Sequence, residues 1–204
     1  CSSDLASAPP LQALREGVRY TAGQRNIRAS LLLIASLSFL ATPYTVLMPL
    51  FAREIFGGDA RLFGLLMGCA GAGALSGAVL LALRSDTAGL TALIGRVAPL
   101  VGIALALFAV STSLWLTVPI LFGLGLALLL CVAGSNTLIQ TQVDNDFRGR
   151  VMSLFTMAFL GIAPLGSFAV GSLAHVFGVR STLIACGLLT AAAGLIYRRS
   201  LPTR

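Results

Sequence analysis

A run of 47 residues without a charge, from Val97 to Val143, constrains this chain more than any other feature. A helix rises about 1.5 Å per residue and about 20 apolar residues cross the hydrocarbon of a bilayer. One helix of that length would be far too long, so the run must fold back on itself. Ser111, Thr112 and Ser113 mark the turn, giving spans of roughly 93–112, with Arg96 at its polar end, and 115–141.

Similar runs flank this one. Ala29 to Ala52 and Val151 to Ala174 are each 24 uncharged residues, Leu62 to Leu83 is uncharged throughout, and Ser181 to Tyr197 is closed by Arg198 and Arg199. The expectation is an all-α membrane protein with six transmembrane helices and the lipid bilayer as its main partner. Composition agrees: 57% hydrophobic and 10% charged residues, with mean hydropathy +0.93, would make a water-soluble surface hard to build.

Net charge is +7, and all 14 basic residues are arginine. They lie singly or in pairs between apolar runs, without the clustered basic face that nucleic-acid binding needs. Six crossings put both ends on one side. That side holds Arg15, Arg19, Arg25, Arg28, Arg84, Arg96, Arg148, Arg150, Arg198, Arg199 and Arg204, and the other holds Arg53, Arg61 and Arg180. Because positive loops stay in the cytoplasm, an 11 to 3 split predicts an inner-membrane protein with both termini cytoplasmic.

The organisation expected is a lead-in and amphipathic helix over 1–28, a six-span bundle over 29–199 and a tail over 200–204. In the first segment Leu11, Leu14 and Val18 recur at helical spacing opposite Arg15, Glu16 and Arg19, which fits a helix lying on the membrane surface or against other loops. Cys1, Ser2, Ser3 and Asp4 look like the start of a processed lipoprotein, but the absence of an initiator Met favours a boundary within a longer protein. Cys69, Cys131 and Cys186 sit in apolar runs as small hydrophobes, with no metal or disulfide spacing.

Candidate chemistry is sparse. All seven acids (Asp4, Glu16, Glu54, Asp59, Asp86, Asp144, Asp146) fall outside the apolar runs, so no intramembrane carboxylate is available to carry a proton. Asn136 and Gln140 stand one helical turn apart in the fourth span and must face protein or a water-filled path, either as interhelical hydrogen bonds or as substrate contacts. Tyr44 and Met48, beside a kink at Pro43, match them in the first span as pocket or core residues. Asp146, Arg148 and Arg150 lie with Asp144 in a compact loop entering the fifth span. They fit a gating role or plain topology-setting charge, and Gly149 suggests a tight turn.

The pairs Gly64 with Gly68 and Gly73 with Gly77 each share a face of the second span and invite close helix approach. Gly166 and Gly171 are the helix-packing candidates of the fifth. No catalytic residue, metal or cofactor is expected. A rhomboid-type protease would need a Gly-x-Ser-Gly serine beside an Ala-His pair; Ala174 and His175 stand together, but Gly73-Ala74-Leu75-Ser76-Gly77 misplaces the first glycine.

The string Gln140 to Ser153, QTQVDNDFRGRVMS, with Pro164-Leu165-Gly166-Ser167 and Gly171-Ser172-Leu173-Ala174, resembles the tenth and eleventh spans of major facilitator superfamily transporters. The branch is the one that includes the enterobactin exporter and macrolide-type effluxers. Leu14 to Tyr20 is similar to its central linker helix, while Met48 to Ala52 and Phe63 to Leu66 resemble its seventh and eighth spans.

The resemblance covers residues 11–199. It implies half of a twelve-span fold built from two three-helix repeats, here the carboxy-terminal half, with the amino-terminal six-span half absent. It also implies a small-molecule substrate of drug or siderophore type, alternating access, and a cavity lined by the first, second, fourth and fifth spans. The second and fifth spans' glycine faces would slide. Three departures stand out: Asp144 replaces the family's proline before Arg148-Gly149-Arg150, His175 replaces a frequent acid, and the Gly-x-x-x-Asp-Arg signature is degenerate around Arg84 to Gly89. A six-span scaffold without transport activity is the alternative.

Overall fold

The computed structural model describes residues 10–84, 87 and 89–201. Asp4, Asp86, the expected lead-in 1–9 and the last three residues lie outside the described residues. The rest is helical: α1 (Pro10–Gly23), α2 (Arg25–Ser36), α3 (Tyr44–Phe56), α4 (Ala60–Ala82), α5 (Leu90–Val110), α6 (Leu114–Gln142), α7 (Asn145–Thr156), α8 (Ile162–Phe177) and α9 (Val179–Ser200). A turn of π-helix, Leu37–Ala41, joins α2 to α3, and another, Met157–Gly161, joins α7 to α8. Six spans result among the described residues: Arg25–Phe56, Ala60–Ala82, Leu90–Val110, Leu114–Gln142, Asn145–Phe177 and Val179–Ser200.

The connections are short because their residues satisfy the exposed helix ends. At the end of α3, Gly57 takes a left-handed conformation (φ 59°) that favours glycine, its N–H donates to the Arg53 carbonyl and the Gly58 N–H to the Ala52 carbonyl. Asp59 then accepts the Arg61 and Leu62 N–H groups at 3.0 and 3.2 Å, capping α4. The turn falls at Ser111 to Ser113, where the Ser111 and Thr117 hydroxyls are 2.8 Å apart. Gly178 alone (φ 83°) separates α8 from α9.

Two departures from the sequence reading concern where helices start and bend. The charged residues Asp146, Arg148 and Arg150 form no loop. They lie on α7, whose helix begins at Asn145, six residues before the apolar run, and Gly149 is mid-helix with open space around it. Lipid sets the length of an apolar run, but a helix can continue into water. The Pro43 kink is realised as the π-turn, with the Thr42 N–H donating to the Leu37 carbonyl at 2.9 Å.

Two glycine seams hold the bundle. Spans two and four run parallel, with Gly73 against the Phe122 backbone, Gly77 against Leu126 and Gly125 against the Ala70 carbonyl. Spans three and six run antiparallel in the most extensive helix contact of the bundle. There Gly102 abuts Ala191 and Gly187, Gly187 abuts Ala106, and Gly194 abuts Ala98 and Pro99. Gly166 packs on the Phe39 carbonyl, but Gly64, Gly68 and Gly171 have nothing within 4 Å of a Cβ position. Gly102→Ala should therefore destabilise the protein by about 1–3 kcal/mol through overpacking, read as a fall in detergent melting temperature. Gly68→Ala should cost nothing.

Candidate functional site

Small residues on two parallel helices leave a cleft. Ala70, Gly71 and Ala74 of α4 face Gly125, Leu128, Leu129 and Val132 of α6, and Met67, Thr42, Tyr44 and Phe159 complete a recess of about 280 Å³. Its walls come from spans one, two, four and five. The α4 and α6 lining residues lie within about four positions of their spans' midpoints, Thr42 and Phe159 close to theirs, so the cleft is near mid-membrane. It carries no charged side chain; the Thr42 and Tyr44 hydroxyls are its polar groups, and Thr42 Oγ1 already donates to the Leu37 carbonyl at 3.3 Å. Such a surface suits an apolar or amphiphilic molecule held by dispersion with few polar anchors.

Of the candidates from the sequence, Tyr44 lines the cleft and Met48 does not, being fully buried in the core. Asn136 and Gln140 bond each other, with Gln140 Nε2 donating to Asn136 Oδ1, and among the described residues neither side chain bonds another helix. Gly125, Val132, Asn136 and Gln140 share one face of α6, which makes the amide pair a polar continuation of the cleft wall towards the arginine-rich end. Met67, Gly71, Leu128 and Phe159 were missed. Apolar and glycine residues carry no chemical signature of their own, and only proximity to Pro43 and Pro164 could have pointed to them.

Both π-turns lie at mid-span and touch. In the i to i−5 register of a π-helix, residues 38 and 159 would be bonded from residues 43 and 164, and both are prolines without an N–H. Ser38 Oγ donates to the Phe159 carbonyl across the contact, supplying the missing donor from the neighbouring span.

At the arginine-rich end, α1 docks on α7. The Tyr20 ring stacks on Phe147 at 4.4 Å between centroids, its hydroxyl donates to Asp144 Oδ2 at 3.0 Å and accepts the Asp144 N–H at 3.3 Å. Arg150 pairs with Glu16 at 3.2 Å and lies 5.4 Å from the Phe147 ring centre, while Gly17 sits against its backbone. The docked face runs through Gly17, Tyr20 and Thr21. Val18, expected on the apolar stripe, lies off that face and is 51% exposed. Asp146 and Arg148 are exposed on the next turn.

Ser76 Oγ donates to the Ala72 carbonyl of its own helix, well towards the arginine-rich end of α4. His175 lies three residues from Gly178 at the opposite end, so the protease pair is not assembled.

Six helices long and apolar enough to cross a membrane, packed around an uncharged cleft near mid-span, define a multi-pass membrane protein. The chain belongs to the major facilitator family described as "Transmembrane secretion effector", which it matches over residues 2–204. It is also 27% identical over 166 residues to the Staphyloferrin A transporter of Staphylococcus aureus, covering 80% of this chain and 41% of that relative. The chain therefore spans less than half of the relative's length.

The docking of α1 sets a test. Tyr20→Ala removes the stack and the Asp144 hydrogen bonds, together about 1–2 kcal/mol. Trypsin should then cut at Arg25 roughly 5- to 30-fold faster, and Tyr20→Phe should retain most of the protection.

Proposed function

We propose that this chain is the carboxy-terminal six-span half of an exporter of small apolar or amphiphilic compounds, of drug or siderophore type, working by alternating access around the mid-membrane cleft. The observation that carries the reading is the cleft itself: uncharged, open on one side and walled by spans one, two, four and five. The name of the staphylococcal relative favours siderophores among the possible substrates. In this reading Tyr44 supplies a polar anchor, Asn136 and Gln140 line the path to the cytoplasmic end, Met48 supports the wall from behind, and Asp146, Arg148 and Arg150 belong to a cytoplasmic gate.

An amino-terminal six-span half would close the open side. Only 22% of the apolar window of span two and 17% of that of span five are buried in this bundle, against 56% for span three. Those two spans carry the unpartnered Gly64, Gly68 and Gly171 and the exposed Leu165 and Phe168, a surface suited to a second bundle that slides as the transporter rocks. The twin π-turns place two irregular points in the cleft wall, and such turns are frequent at functional sites.

Transport by the whole protein in inside-out vesicles tests the reading. Gly71→Leu should fill the cleft and lower export at least about tenfold with an unchanged melting temperature, because nothing lies within 4 Å of its Cβ position. Gly123→Leu, equally unobstructed but on the far face of α6, should leave export intact. A wild type that moves neither an apolar dye nor a siderophore would remove the proposal. Orientation is tested by single cysteines in a cysteine-free background: an impermeant thiol reagent should label Arg53→Cys on intact cells and leave Arg199→Cys unlabelled.

A further inference from the structure

A second recess, of about 470 Å³, lies between the start of α2 and the end of α9, at the arginine-rich end of the bundle and away from the cleft. Its mouth holds Arg25 and Arg28; Ala29 and Leu32 on one side and Ala193 and Ile196 on the other make most of its walls apolar, with Ser36, Tyr197 and Ser200 also lining it. Leu32 and Ile196 are 62% and 68% exposed. Arg28 donates to the Ala22 carbonyl at 3.4 Å, and neither arginine forms an ion pair among the described residues. No carboxylate lines the recess. Gln24, which precedes α2, makes no side-chain cap.

From this arrangement we propose that the groove between α2 and α9 is a binding site for one anionic phospholipid, its phosphate held by Arg25 and Arg28 and an acyl chain lying along Leu32 and Ile196. The occupant must be negative at one end and apolar at the other. Leu32 is seven residues beyond Arg25, so about 10 Å deeper along the helix, and a free phosphate would leave that wall uncovered. The arginines sit at the level where a first span emerges from hydrocarbon, the depth of a headgroup, and basic pockets between transmembrane helices at such a level take anionic lipid. The site is independent of the transport cleft and stands whether or not export is observed.

The test is lipid retention by the whole protein, reconstituted in phosphatidylcholine with a minor fraction of phosphatidylglycerol and analysed by native mass spectrometry. The wild type should retain one phosphatidylglycerol in preference to phosphatidylcholine. Arg25→Gln with Arg28→Gln should lower that preference roughly tenfold or more, and Arg25→Lys with Arg28→Lys should keep most of it. Leu32→Trp, which leaves both charges but fills the groove, should also lose the lipid. Unchanged retention in the glutamine pair would overturn the proposal. So would displacement by millimolar inorganic phosphate together with retention in Leu32→Trp, the pattern of a simple anion site. A photocrosslinker at position 32 that captures polypeptide instead of lipid would likewise sink it, by showing that another part of the transporter covers the groove.

Discussion

In hydrocarbon, a backbone carbonyl without a donor costs several kcal/mol, and prolines take donors away in four spans, at Pro43 and Pro49, Pro99, Pro119 and Pro164. Pro43 and Pro164 each follow a π-turn at mid-span, and those turns meet. The Ser38 hydroxyl serves the Phe159 carbonyl, to which Pro164 offers no N–H in the π register. Placing the two irregular turns together lets one span repair the other, and the backbone left unusual by the repair borders the cleft through Thr42, Tyr44 and Phe159. The most irregular backbone of the described spans thus borders the cleft.

Elsewhere the bundle is built for rigidity. Helices in lipid gain little from hiding apolar surface from one another, so close backbone approach through small residues must supply the attraction. Gly102, Gly187 and Gly194 bring α5 and α9 together so tightly that a single added methyl would overlap the facing backbone. Spans three and six act as a spine, and spans two and four are joined by a shorter seam of the same kind. Spans one and five, by contrast, meet through Gly166 and the paired π-turns.

Most of the spans could be drawn from the apolar runs alone, their ends falling within about four residues of the helices found. The fifth began earlier because charge at Asp146, Arg148 and Arg150 marks where lipid stops, while α7 continues into water. Glycine spacing was legible only in part: Gly73 and Gly77 engage a neighbour, Gly64 and Gly68 do not, and the heptad-spaced pairs Gly95 with Gly102 and Gly187 with Gly194 gave the same kind of signal unread. Spacing within one helix says which residues share a face, never which face meets which helix. The cleft was legible as a set of spans through family resemblance and as a residue only at Tyr44. Its other walls are apolar side chains whose role depends on an absence of filling, which no local pattern encodes.

The joint between α1 and α7 is of a different strength from the seams. Its ion pair, Glu16 with Arg150, has side chains 39% and 33% exposed, and a pair so wet contributes about 0–1 kcal/mol. The Tyr20–Phe147 stack adds about 0.5–1.5 kcal/mol. With the Tyr20–Asp144 hydrogen bonds, these side-chain contacts make the joint, where the seams rest on backbone against backbone. It grips residues 144 to 150 of a continuous helix whose next feature is the Met157–Gly161 turn. The joint with α1 and one of the two π-turns therefore belong to the same span, the fifth, while spans three and six are joined along their length by the glycine seam.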